Sequence, residues 1–83
     1  MLRLTLYVRS YCHLCTDMLQ AVTAQRERFG FELEVIDIDE DPQLEARYGQ
    51  WVPVLSAGDQ ELCHYFLEPQ ALERYFGAGK NPI

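Results

Sequence analysis

The chain is 83 residues long and 48% hydrophobic, which supports one small core across residues 1–83 and leaves nothing for a second domain. Seven basic residues against thirteen acidic ones give a formal net charge of -6; so few scattered Lys and Arg exclude a nucleic-acid face, and an acidic protein partner is disfavoured. No apolar run approaches the roughly 18 residues of a membrane span and the N-terminus lacks a signal-peptide shape, so a cytoplasmic protein with no membrane partner is expected.

Leu2, Leu4, Leu6 and Val8 alternate with Arg3, Thr5 and Tyr7, a period of two that predicts a strand with one strongly apolar face. After Ser10-Tyr11 the spacing changes. Leu14, Met18, Ala21 and Val22 recur at helical intervals, Thr16 and Asp17 suit a first turn, and Gly30 supplies a stop. Phe31, Leu33 and Val35 then alternate with Glu32 and Glu34 before Ile36 and Ile38, which predicts a second strand, parallel to the first and buried on both sides towards its end. Asp41-Pro42 reads as an N-cap followed by proline at the first helical position, and Gly49 as an end, giving a short helix over about 42–48. Trp51 to Ser56 forms a third strand, Ala57-Gly58-Asp59-Gln60 a turn, and Glu61 to Phe66 a fourth strand, together a hairpin. Glu68-Pro69 opens a last helix that carries Leu72, Tyr75 and Phe76 on one face and ends at Gly77, with a frayed tail over 79–83. The order is β-α-β-α-β-β-α.

Cys12 and Cys15 lie at the junction of the first strand and the first helix. The leading backbone N–H groups of a helix have no internal partner and favour a thiolate placed there, so Cys12 is the candidate nucleophile. Positions i and i+3 share one helix face at roughly 5 to 6 Å, inside the Cα separation that a disulfide tolerates, and Cys15 is therefore the candidate resolving thiol. Three cysteines make an odd number, which fits a reducing compartment with one working pair and one spare thiol, Cys63.

With Arg9-Ser10-Tyr11-Cys12-His13-Leu14-Cys15 at this junction and Trp51-Val52-Pro53 at the third strand, the sequence resembles the thioredoxin fold in its minimal glutaredoxin form, in particular the short bacterial glutaredoxin-like proteins. The resemblance spans nearly the whole chain. It implies an α/β thioredoxin-like (glutaredoxin-type) fold with a four-stranded mixed sheet and helices on both faces. It implies thiol-disulfide exchange by Cys12 and Cys15, with a disulfide-containing protein or a small thiol as substrate. It also implies a cis Val52–Pro53 bond, in place of a trans proline at an ordinary strand start, with Val52 offering its N–H and C=O to an extended substrate.

Arg9 resembles the basic residue beside the glutaredoxin motif, and with His13 it would support the thiolate. His13 reads equally as an exposed first-turn residue. Tyr11, Trp51 and Tyr65 form either an apolar rim around the thiols or simple packing, and Arg9, Tyr11, His13, Trp51, Val52 and Pro53 are the candidate substrate-binding set. Trp51 stands where glutaredoxins carry Thr, and Cys63-His64 stands at their Gly-Gly place, with Glu68 the only nearby carboxylate. Bulk there obstructs close approach of a tripeptide and makes glutathione the poorer fit of the two candidate electron donors, glutathione and thioredoxin reductase, to a monomer with no bound cofactor. Two other readings stand beside this one. A non-catalytic adaptor would bind an extended segment at the Val52-Pro53 edge, and a zinc site would join Cys12 and Cys15 to Cys63 or His64.

Overall fold

A computed structural model of the chain describes residues 3–77. The frayed tail expected over 79–83 and the first residue of the expected opening strand, Leu2, lie outside the described residues. Within them the order is β1 (Arg3–Val8), α1 (His13–Phe29), β2 (Glu32–Asp37), a 3-10 turn (Ile38–Glu40), α2 (Pro42–Tyr48), β3 (Val54–Ala57), β4 (Gln60–His64) and α3 (Pro69–Leu72), which widens into a π-type turn over Glu73–Gly77. The four strands form one mixed sheet in the order β2-β1-β3-β4: β1 runs parallel to β2 and antiparallel to β3, and β4 closes the hairpin.

Strand alternation divides the apolar residues between two layers. Leu4 and Leu6 of β1 and Leu55 of β3 face Met18 and Val22 of α1, with Leu72 and Phe76 from the C-terminal segment. Phe76 stacks on Phe29 and Phe31, with ring centroids 5.2 and 5.5 Å away. An irregularity in the β3–β4 register lets consecutive residues Leu62 and Cys63 join this same layer. The opposite face holds a smaller cluster in which Ile38, Tyr48 and Val54 are buried together, flanked by Tyr7, Leu44 and Val52. Helices therefore cover both faces, α1 and α3 on one and α2 on the other.

Each helix start and stop has a local cause. Gly30 ends α1 in the left-handed region (φ 73°), its N–H bonded to the Arg26 carbonyl at 2.8 Å, and Arg26 and Arg28 lie in the last turn where the helix dipole favours positive charge. Asp41 caps α2 by accepting the Gln43 and Leu44 N–H groups at 2.9 and 3.3 Å. Gly49 ends that helix as expected, without a left-handed turn. Its backbone stays right-handed (φ -55°), and a side chain is barred because a Cβ would lie 2.5 Å from the Glu45 carbonyl oxygen.

Two expectations need correction. Strand β2 is not buried on both sides at its end: it is a sheet edge, Val35 is 45% exposed, and Ile38 has left the strand for the 3-10 turn, where it supplies the α2-side core. The third strand begins at Val54 and not at Trp51, because Trp51 and Val52 both donate to the Tyr48 carbonyl, at 2.8 and 3.1 Å, before the chain straightens after Pro53.

Candidate functional site

Cys12 occupies the N-cap of α1 in extended conformation, and its Sγ accepts the backbone N–H of Cys15 at 3.1 Å. The cap position is therefore filled by sulfur, where a Ser or Asp oxygen commonly sits. No acidic residue lies in the first turn of α1, so nothing negative there opposes a thiolate. The two sulfurs are joined as a disulfide across a Cα separation of 5.1 Å. Their surroundings differ: Cys12 is half-buried, whereas Cys15 is 4% exposed and belongs to the buried side of α1.

The turn that delivers Cys12 is backbone-strained. Tyr11 has φ 58°, the left-handed region that a non-glycine residue enters at a cost of about 1–2 kcal/mol, and its ring is fully exposed. Ser10 donates its hydroxyl to Asp37 at 3.0 Å and ties this turn to the end of β2.

Arg9 lies beside the turn, but its charge is committed elsewhere. Its guanidinium donates to Asp39 at 2.8 Å, to Glu45 at 2.8 Å and to the Gly49 carbonyl at 3.3 Å, and the hydrogen bond it gives to Asp39 holds its pKa above the usual arginine range. It thus braces β1 against the 3-10 turn and α2. No local pattern signals this, since the partners lie 30, 36 and 40 residues away.

A groove of about 510 Å³ runs past the sulfurs. Cys12, His13 and Cys15 border it together with Tyr11 and Arg9, so these expected site residues meet in one place. Val8, Leu19 and Val35 also line it, and sequence reasoning passed over all three; Leu19, one turn beyond Cys15, was the available sign. Trp51 sits on a separate groove of about 270 Å³ with Arg47, Tyr48 and Glu61. There it packs edge-on to His64 (5.3 Å between centroids) and tilted to Tyr65 (6.1 Å), while His64 Nδ1 lies 2.5 Å from Glu61. The expected aromatic rim is therefore split, with Tyr11 on the sulfur groove and Trp51 and Tyr65 in a cluster of their own.

The Val52–Pro53 bond is cis, and the Pro53 carbonyl accepts the Tyr65 N–H at 2.9 Å. Tyr65 takes φ 68° there, and its hydroxyl donates to the Gln50 carbonyl at 2.8 Å. The Val52 N–H, expected to be offered outward, is already donated to Tyr48. Cys63 is buried opposite Leu55, and burial pushes its thiol pKa up. For the zinc reading, among the described residues no three His, Cys, Asp or Glu side chains come together as a metal site, and Cys63 faces the α1/α3 core.

The family comparison matches this arrangement over residues 3–77 with the glutaredoxin-like domain (DUF836). The chain belongs to that family. A protein from Nitrosomonas europaea, Ne2328, known from a solution NMR structure, is 42% identical over 90% of this chain and 91% of its own, with a TM-score of 0.82. A structural-genomics protein from X. campestris is 36% identical over 90% of this chain and 96% of its own, with a TM-score of 0.67. The glutaredoxin-like protein NrdH-redoxin from Escherichia coli, described as having a thioredoxin-like activity profile, is 30% identical over 87% of this chain and 92% of its own, with a TM-score of 0.57. Thioredoxin 1 from Thermosipho africanus, at 21% identity and a TM-score of 0.65, shares the fold. No curated protein matches the chain significantly. The fold is thus thioredoxin-like, and among the described residues no helix is long and apolar enough to cross a membrane.

Proposed function

We propose that this glutaredoxin-like protein is a cytoplasmic thiol-disulfide oxidoreductase that reduces protein or mixed disulfides as a monomer. One observation carries the reading: a half-buried cysteine at a helix N-cap, its sulfur accepting a backbone N–H, bonded to the sulfur of a second cysteine that is only 4% exposed. In the reduced protein the Cys12 thiolate attacks a substrate disulfide, forming a mixed disulfide and releasing one substrate thiolate, which takes a proton from water. Cys15 then gives up its proton and attacks Cys12 Sγ as thiolate, breaking the mixed disulfide and closing the Cys12–Cys15 disulfide, while the second substrate sulfur leaves as a thiolate and takes up a proton. Two electrons pass to the substrate, and an external dithiol or reductase must return them for the next cycle.

Lowering a thiol pKa from about 8.5 to about 7 raises its thiolate fraction at neutral pH roughly 16-fold, while intrinsic nucleophilicity falls about fivefold. The net gain in attack is about threefold. The N-cap therefore contributes more by setting the redox poise of the pair and by making Cys12 a good leaving group whenever a thiol attacks the substrate sulfur of the mixed disulfide.

Glutathione fits this site poorly as donor, since Arg9 is held by two carboxylates and the Val52 N–H is taken. The likeness to NrdH-redoxin supports a thioredoxin-type donor, thioredoxin reductase being the candidate. The test is turnover of bis(2-hydroxyethyl) disulfide with each donor in turn. Cys12→Ser should abolish turnover, whereas Cys15→Ser should accumulate a covalent mixed disulfide visible by mass spectrometry. Full activity in Cys12→Ser refutes the nucleophile assignment, and a wild type inert with both donors favours the adaptor that only binds.

A further inference from the structure

The layer of apolar side chains beneath α1 does not end where the helix ends. Along β1 the residues on that face are Leu4, Leu6 and Val8; on β2 the residues paired beside Leu4 and Leu6 are Leu33 and Val35. Leu4 and Leu6 are fully buried, and Val8, Leu19 and Leu33 pack on the same core. Val35 does not close off with them. It stays 45% exposed, in the same groove as Cys12, Cys15, Leu19 and Val8, with the ring of Tyr11 at the groove's border. A lone exposed valine is ordinary. Here it is an apolar floor within a concave surface whose wall is the reactive sulfur.

Resting on the function proposed above, we propose that Val35, Leu19 and Val8 form a specificity subsite that receives an apolar side chain flanking the disulfide-bonded cysteine of an extended polypeptide substrate. Two observations select a polypeptide. Cys12 lines this groove, so a substrate disulfide seated in it meets the sulfur. The outer edge of β2 also has no strand partner among the described residues, so its backbone N–H and C=O groups are open to an extended chain running beside Val35. A small thiol uses neither feature. The subsite lies on the β2 side of the sulfurs, and the groove's lining includes neither Trp51 nor Pro53.

The experiment compares two short peptides, one with leucine and one with serine on both sides of a single cysteine capped as its cysteamine mixed disulfide. Wild type should reduce the leucine peptide with roughly five- to tenfold higher kcat/KM. Val35→Thr, which keeps shape and strand preference, should cut that ratio to about twofold. Binding of the same peptides to the redox-inert Cys12→Ser/Cys15→Ser protein, followed by the Val35 and Leu19 methyl resonances, reads the groove without chemistry. An equal ratio for the two peptides in wild type, an unchanged ratio in Val35→Thr, or methyl signals indifferent to the leucine peptide each overturn the subsite. Loss of small-disulfide turnover in wild type with selective leucine-peptide binding intact instead refutes the redox reading alone and leaves the subsite standing.

Discussion

On the α1/α3 face of the sheet, Leu4, Leu6, Leu55 and Cys63 close against Met18, Val22, Leu72 and Phe76; on the α2 face only Ile38, Tyr48 and Val54 are buried together. What completes the second face is polar. Arg9 links Asp39 and Glu45, Asp41 caps α2, and His64 pairs with Glu61 beside the exposed Trp51. The difference assigns the faces different work. Apolar burial at about 25 cal/mol per Å² makes the first face the main source of stability, while ion pairs at the surface fix the placement of α2 and the Val52–Pro53 segment at little energetic gain.

The strongest way to break this comparison is one substitution on each face, a cavity on the first and a lost cap on the second. Leu6→Ala, at a fully buried position of the first face, should lower unfolding free energy by about 2–5 kcal/mol in a denaturant titration. Asp41→Ala on the second face removes one cap and should cost about 1 kcal/mol. If the cap costs as much as the cavity, the α2 face contributes more than its small core accounts for.

Alkaline pH sharpens the contrast with one group from each face. Burial raises the pKa of the Cys63 thiol on the first face, and burial followed by the neighbouring Tyr48 raises that of Tyr7 on the second. Both groups hold their proton more tightly folded than unfolded, so the stability each contributes is complete below its unfolded pKa and is lost as pH rises through the folded one. Stability should therefore decline above roughly pH 8.5 from Cys63 and above roughly pH 10 from Tyr7. Urea titrations across this range should show Cys63→Ala removing the lower part of the decline and Tyr7→Phe the upper part. A decline untouched by either substitution removes these groups as its source.

Much of this was legible because it is local. The alternation of Leu4 and Leu6, the Asp41-Pro42 start of α2 and the i, i+3 spacing of Cys12 and Cys15 each depend on residues a few positions apart, and the structure places them as read. What sequence did not reveal depends on distant partners. Ile36 and Ile38 looked like a doubly buried strand end, because composition does not say which strand lies at the edge of the sheet. Arg9 resembled a substrate contact until Asp39 and Glu45 were seen to hold it. The Val52 N–H looked free because its acceptor is the carbonyl at the end of α2, and that carbonyl's position follows from how Gly49 continues the helical turn.

The burial of Cys15 beneath Cys12 also gives the pair a polarity. A reagent arriving from solution meets the outer sulfur first, since the inner cysteine shows only 4% of its surface. The folded, reduced protein should consequently take up one bulky alkylating group and stop, which makes the order of the two half-reactions a property of the architecture before any difference in acidity is invoked.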